Sequence, residues 1–149
     1  MRLIFAPDAS TLGRFSVMAA LSVDVLVIED DMPIQRLLKH IVERLGLECE
    51  CANDGAVGLD SIRRRSPRVI ILDLLLPNVN GFELLRDLHL RTPEILKRII
   101  IVTAAAQSTY SGCKEIPLTR TLLRKPLDLE LLCSEIMDCH GATAPAGNA

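Results

Sequence analysis

The chain has 149 residues, of which 49% are hydrophobic and only 3% aromatic, material for one ordinary domain with an aliphatic core. A net charge of −2 provides no global field for nucleic acid or an anionic membrane, so neither is expected as a partner. No apolar run approaches the length of a membrane span, and five cysteines (Cys49, Cys51, Cys113, Cys133, Cys139) without CxxC spacing read as structural thiols of a reducing cytoplasm rather than zinc ligands.

Residues 1–22 mix Pro7, Asp8, Gly13 and Arg14 with scattered apolar residues and show no sustained period. They lack the unbroken apolar segment and cleavage site of a secretory signal, and read as an N-terminal extension or an overlong start, since Met18 could also initiate. From Val23 the pattern alternates strand and helix. Val23 to Ile28 is the first strand, and Asp31 caps a helix that carries Pro33 in its first turn. Ile34, Leu37, Leu38, Ile41, Val42 and Leu45 follow at the spacing of one helical face, which Gly46 ends. The period-two stretch from Leu47 to Ala52 predicts a half-exposed edge strand. Asn53-Asp54-Gly55 then starts a helix that Pro67 stops.

Val69 to Leu72 is an apolar run that reads as a strand buried on both faces, closed by Asp73. A loop through Pro77 and Gly81 leads to a third helix, carried by Phe82, Leu84, Leu85 and Leu88 and ended near Thr92-Pro93. Arg98 to Ala104 is the fourth strand. The segment from Ala104 to Pro117 has little helical period and contains Gly112, so any fourth helix is short or irregular. A fifth strand ends at Lys125, and Asp128 caps a last helix with Leu129, Leu132, Ile136 and Met137 on one side. His140-Gly141 is expected to close that helix, leaving 141–149 as a disordered tail.

Strands separated by helices imply parallel pairing with right-handed crossovers. The fold class is therefore α/β, a flavodoxin-like (βα)5 doubly wound sheet of order 2-1-3-4-5, with one domain over 23–140. That order sets the carboxyl ends of strands 1 and 3 side by side at the switch point, where ligands bind. Glu29 and Asp30 would then meet Asp73, with Thr103 and Lys125 closing the next two strands. An acid pair, a lone aspartate, a hydroxyl and an ammonium at strand ends are what a metal-assisted phosphoryl-acceptor site requires. Taken singly, each has a plainer reading: a solvated helix start, a strand threonine, a surface lysine before proline.

Four motifs in register, Ile28-Glu29-Asp30-Asp31, the run from Asp73 through Pro77 to Gly81, Val102-Thr103-Ala104 and Lys125-Pro126-Leu127, resemble the receiver domain of two-component response regulators. The spacings also match that family, 103 − 73 = 30 and 125 − 103 = 22 residues. The resemblance implies that Asp73 accepts a phosphoryl group from a phosphohistidine, with Mg2+ held by Asp30, Asp73 and the backbone carbonyl of Leu75. Glu29 would complete the acid pocket through water, whereas Asp31 is a helix cap. Thr103 and Lys125 would contact the acyl phosphate. Hard carboxylate oxygens suit Mg2+, which offsets their mutual repulsion.

The resemblance implies a histidine kinase or histidine phosphotransfer protein as donor, an unidentified downstream protein, and room for a homodimer. The chain is expected to be a single-domain signalling protein and not an enzyme, catalysing only its own phosphorylation and dephosphorylation. Two features depart from the family. Leu122 stands where an aromatic switch residue is common, with the one tyrosine, Tyr110, too distant in sequence to substitute, and the segment from Ala104 to Pro117 lacks the period of the usual fourth helix. These features leave an alternative open, a receiver-shaped binding module that works without phosphorylation. A haloacid-dehalogenase-like phosphatase is rejected, because the second acid it needs two residues after the nucleophile is Leu75 here.

Overall fold

Runs of β-branched residues and leucine build the centre of the molecule. In the computed structural model, which describes residues 22–143, β1 (Val25–Ile28), β3 (Val69–Leu72) and β4 (Ile99–Thr103) are buried along their whole length. β2 (Cys49–Ala52) and β5 (Thr121–Arg124) are largely half-buried, as edge strands are. All pairs are parallel, in the order β2-β1-β3-β4-β5. The predicted fold class holds. Residues 1–21 of the expected extension and 144–149 of the expected tail lie outside the described residues.

Side chains alternate across the sheet and divide the core in two. Leu26, Ile28, Ile70, Leu72 and Ile101 face α2 (Gly55–Arg65) and α3 (Gly81–Arg91), whose Ile62, Leu84, Leu85 and Leu88 close that layer. Val25, Val27, Ile71, Ile100 and Val102 face α1 (Met32–Arg44) and α5 (Leu129–Ala142) through Leu38, Val42, Leu132, Ile136 and Cys139. Each fully buried leucine or isoleucine contributes roughly 1.5–3 kcal/mol relative to exposure, so the two layers outweigh any surface pairing.

Four helix starts carry side-chain caps, three of them at residues that mark the start in sequence. Asp31, Asp54 and Asp128 each accept from a backbone amide three residues on, and Asn80 forms a reciprocal capping box with Glu83. Gly46 has a φ of 79°, the left-handed conformation that lets the chain leave α1. Two helix faces differ from expectation. In α1 the centre of the buried face is Gln35, Leu38 and Val42, while Leu37 is exposed. In α5 the buried stripe is Leu132, Ile136 and Cys139; Leu129 and Met137 are exposed and lie off that stripe.

The last helix also runs beyond its expected stop, through Gly141 to Ala142. There Thr143 turns back to the Cys139 carbonyl through its amide at 3.2 Å and its hydroxyl at 3.0 Å. A glycine ends a helix only when the backbone leaves the helical region, and here these bonds hold it. Between β4 and β5 the chain makes only α4 (Gln107–Tyr110) and a 3-10 turn over Ile116–Leu118. The fourth helix is short, as expected; a further 3-10 segment over Pro93–Arg98 was not signalled by periodicity.

Candidate functional site

Register brings the site together. Ile28 pairs with Leu72 and Leu72 with Ile101, so the residues that follow β1 and β3 emerge at the same level. The Asp73 amide donates to the Ile28 carbonyl at 3.0 Å, and the Glu29 amide to Ala52 at 3.1 Å. On the far side Thr103 pairs with Arg124, and the Lys125 amide donates to the Thr103 carbonyl at 3.0 Å. Asp73 therefore sits at the C-terminal end of the central strand, flanked by the acids of β1 and the lysine after β5.

Every polar atom of the Asp73 carboxylate is engaged. Oδ1 accepts from the Thr103 hydroxyl at 3.1 Å and from the Leu75 amide at 3.1 Å; Oδ2 accepts from Lys125 Nζ at 3.1 Å. The same ammonium donates to Glu29 Oε2 at 2.9 Å. With 1% exposure for Glu29 and 6% for Asp73, these charges are compensated by Lys125 rather than by bulk water. Burial pushes the Glu29 carboxyl above its ordinary range, and the Asp73 charge adds to this against the pull of the Lys125 hydrogen bond. Burial alone would lower Lys125, but the Glu29 hydrogen bond and the Asp73 charge hold its ammonium above the ordinary range.

Oxygen atoms of Glu29, Asp30 and Asp73 lie within 4.8 Å of one another, the one such group of three among the described residues. Two of the acids are buried and Asp30 is exposed, so the group opens to solvent on the Asp30 side. All the donors are carboxylate oxygens, a set that fits a hard divalent ion such as Mg2+ and not a soft one. Asp31 stands apart from that group. Its Oδ1 caps α1 by accepting from the Ile34 amide at 3.1 Å. The Leu75 amide donates to Asp73 Oδ1 at 3.1 Å, and the residue is 50% exposed.

Sequence reasoning gave no supporting role to three residues. Gln35, buried in α1, donates to the Glu29 carbonyl at 2.9 Å and to Asn53 Oδ1 at 2.7 Å, and so holds the β1 end against the β2 end. A polar residue on a helix gives no periodic signal for such a role. Gly81 lies where a Cβ would meet Leu74 Cα at 2.6 Å and the Asp73 carbonyl at 2.7 Å, so the loop after Asp73 can close only on glycine. The third is Glu115, which is buried and accepts from the Cys113 thiol at 3.3 Å, with His89 Nδ1 at 3.4 Å, securing the segment after α4. Leu122 is half-buried, and Tyr110, distant in sequence, packs against the same core layer.

A parallel sheet of this order with an acid triad, a threonine and a lysine at its carboxyl edge defines a receiver. The family model described as the response regulator receiver domain matches residues 25–137, and the chain belongs to that family. It is 32% identical to response regulator ArlR of Staphylococcus epidermidis over 114 residues, 76% of this chain and 50% of that protein. It is 29% identical over 112 residues to protein PilH of Pseudomonas aeruginosa, covering 75% of this chain and 93% of that one. The chain thus spans about half the length of the ArlR relatives it matches. Among solved structures, a CheY-like receiver domain protein from Methanospirillum hungatei superposes with a TM-score of 0.73 and 26% identity, over 85% of this chain and 99% of that one. The receiver domain of Francisella response regulator 1452 gives 0.69 and 27%, over 82% and 99%. No helix among the described residues is long and apolar enough to cross a membrane.

Proposed function

We propose that this protein is a phosphorylation-switched receiver in two-component signalling, in which Asp73 takes a phosphoryl group from the phosphohistidine of a kinase or phosphotransfer protein. The observation that carries this reading is the Asp73 carboxylate held between Lys125 and Thr103 beside the open Glu29 and Asp30 pair. Transfer breaks the donor's P–N bond and forms a P–O bond to an Asp73 oxygen. Lys125 compensates charge on that side of the site, and the Thr103 hydroxyl, already on Asp73 Oδ1, is placed to donate to a phosphoryl oxygen instead.

Asp30 and Asp73, with Glu29 behind them, would hold Mg2+. When bound, that ion neutralises carboxylate repulsion and charge on the phosphoryl oxygens. The Thr103 hydroxyl also accepts from the Ala105 amide at 3.1 Å, so its reorientation would be felt at the start of the segment leading to α4. A downstream protein would read that change. The test is incubation with Mg2+ and acetyl phosphate followed by intact-mass measurement. One added phosphoryl mass is expected on the wild type and none on Asp73→Asn; equal labelling of both would reject the assignment.

A further inference from the structure

The amino ends of the strands lie opposite the edge that holds Asp73, and a groove opens there between the last turns of α2 and α3. The Val23 amide donates to the Arg65 carbonyl at 3.2 Å, which fixes the end of α2 where the chain enters β1. Ile62, Leu88 and Ile95 form an apolar floor. At the rim Arg63 reaches Asp87 Oδ2 at 3.1 Å and Arg91 reaches Asp87 Oδ1 at 3.0 Å, both arginines more than half exposed. Two guanidinium groups share one carboxylate, so the rim keeps a positive charge in excess and free N–H donors. At about 250 Å³ the groove is smaller than small-molecule pockets, roughly 300–1,000 Å³, and suits an inserted side chain.

Such a groove calls for a large apolar side chain with a carboxylate close by, and the chain presents that combination at the groove's own edge. Leu90 follows Asp87 by three positions on α3 and so lies on the same side of the helix. It is 85% exposed, the most exposed large apolar side chain among the described residues. Glu94 stands between Thr92 and Ile95, which both line the groove; it is exposed and has no ion pair among the described residues. A lone exposed leucine is ordinary, but a leucine and an unpaired acid beside an arginine-rimmed apolar groove make a surface complementary to itself.

We propose that this surface pairs two copies of the chain about a two-fold axis, Leu90 of each copy filling the groove of the other and Glu94 of each meeting the other's Arg63 and Arg91. A two-fold contact is made from one patch used twice, which a self-complementary surface satisfies. The chain's own residues 1–21 match the groove less well: they carry Arg2 and Arg14 against the single acid Asp8, the wrong balance for an arginine rim. One apolar anchor in each direction makes a reversible dimer rather than an obligate one, whose interface is larger. Because the groove lies at the amino ends of the strands, pairing leaves the Asp73 edge of both copies open and does not require phosphorylation.

The experiment is sedimentation equilibrium of the full chain from micromolar to millimolar concentration, under reducing conditions and without Mg2+ or a phosphodonor. The wild type should show a reversible monomer–dimer equilibrium. Leu90→Ala should weaken it by about a hundredfold or more, since symmetry removes the leucine twice. Glu94→Lys should weaken it by about tenfold or more, because it sets like charges against the rim. Both side chains are exposed, so neither variant takes a buried group from the fold. Leu118→Ala and Leu131→Ala, which trim exposed leucines elsewhere, should associate like the wild type. Hydrogen exchange of the wild type at low and high concentration should show added protection over Pro93–Arg98 at the high one. A wild type that stays monomeric up to millimolar concentration would overturn the proposal and leave the groove to a different protein. Undiminished association of Leu90→Ala, or a dimer that forms only after treatment with acetyl phosphate and Mg2+, would overturn it as well. None of these outcomes bears on whether Asp73 accepts a phosphoryl group.

Discussion

Replacing Lys125 by methionine keeps the apolar stem and removes the one cation between two buried carboxylates. In the wild type the ammonium is 2.9 Å from Glu29 and 3.1 Å from Asp73, with the lysine side chain 15% exposed. Removing one partner of a buried ion pair typically destabilises by about 3–5 kcal/mol. Here an escape sets a ceiling: the folded protein can protonate Glu29, whose ordinary value is 4.5. At pH 7 that proton costs at most ~3.4 kcal/mol, at ~1.36 kcal/mol for each pH unit above the ordinary value; at pH 5 the ceiling falls to ~0.7 kcal/mol.

The sign follows from linkage. In the variant the folded-state carboxyl is raised above its unfolded value, so stability is present at low pH and is lost as pH rises through the folded value. Urea unfolding of wild type and Lys125→Met at pH 5 and pH 7 in EDTA, with circular dichroism as readout, measures it. The expected deficit is about 3 kcal/mol at pH 7 and below about 1 kcal/mol at pH 5. A deficit that is small at pH 7, or equal at the two values, would mean that Lys125 does not compensate the acids and that the reasoning is wrong.

Gly81→Ala should destabilise by about 1–3 kcal/mol and also slow Asp73 labelling, since the new methyl group meets the Leu74 backbone and the Asp73 carbonyl; unfolding and intact mass report the two effects separately. Asp30→Ala should weaken Mg2+ binding by about tenfold or more while Asp31→Ala changes it little, because only Asp30 belongs to the acid group; calorimetric titration decides, and equal losses would count against that assignment. Leu75→Asn should shorten the lifetime of phospho-Asp73, because it replaces a half-exposed leucine two residues after the acceptor by a side chain that can hydrogen-bond an attacking water; time-resolved mass measurement follows the decay. Asp24 accepts from the Glu48 amide at 2.8 Å and meets His140 Nε2 at 2.9 Å, and these bonds hold its carboxyl below the ordinary 3.8 although burial acts the other way. Its contribution is present above the ordinary value and is lost as pH falls through the folded one, so Asp24→Asn should flatten the stability profile below about pH 4 in an acid titration of unfolding.

The elements of this protein were legible because they rest on local chemistry. Uninterrupted apolar runs mark strands buried on both faces, and Asp31, Asp54 and Asp128 mark helix starts by their capping geometry. Alternation then restricts the topology, and the topology places Glu29, Asp30, Asp73, Thr103 and Lys125 at one edge. Tertiary structure alone decided which atoms meet there. Lys125 bridges Glu29, 96 residues away, as well as Asp73, because the β-strand registers align their ends. Gln35 and Glu115 are buried although polar, since each finds hydrogen-bond partners from other elements, and no periodic pattern in one segment encodes a partner in another. The exposure of Leu37 and Met137 has the same origin: a helix face is defined by the sheet it lies on, and the direction of that contact is set only when the layers close.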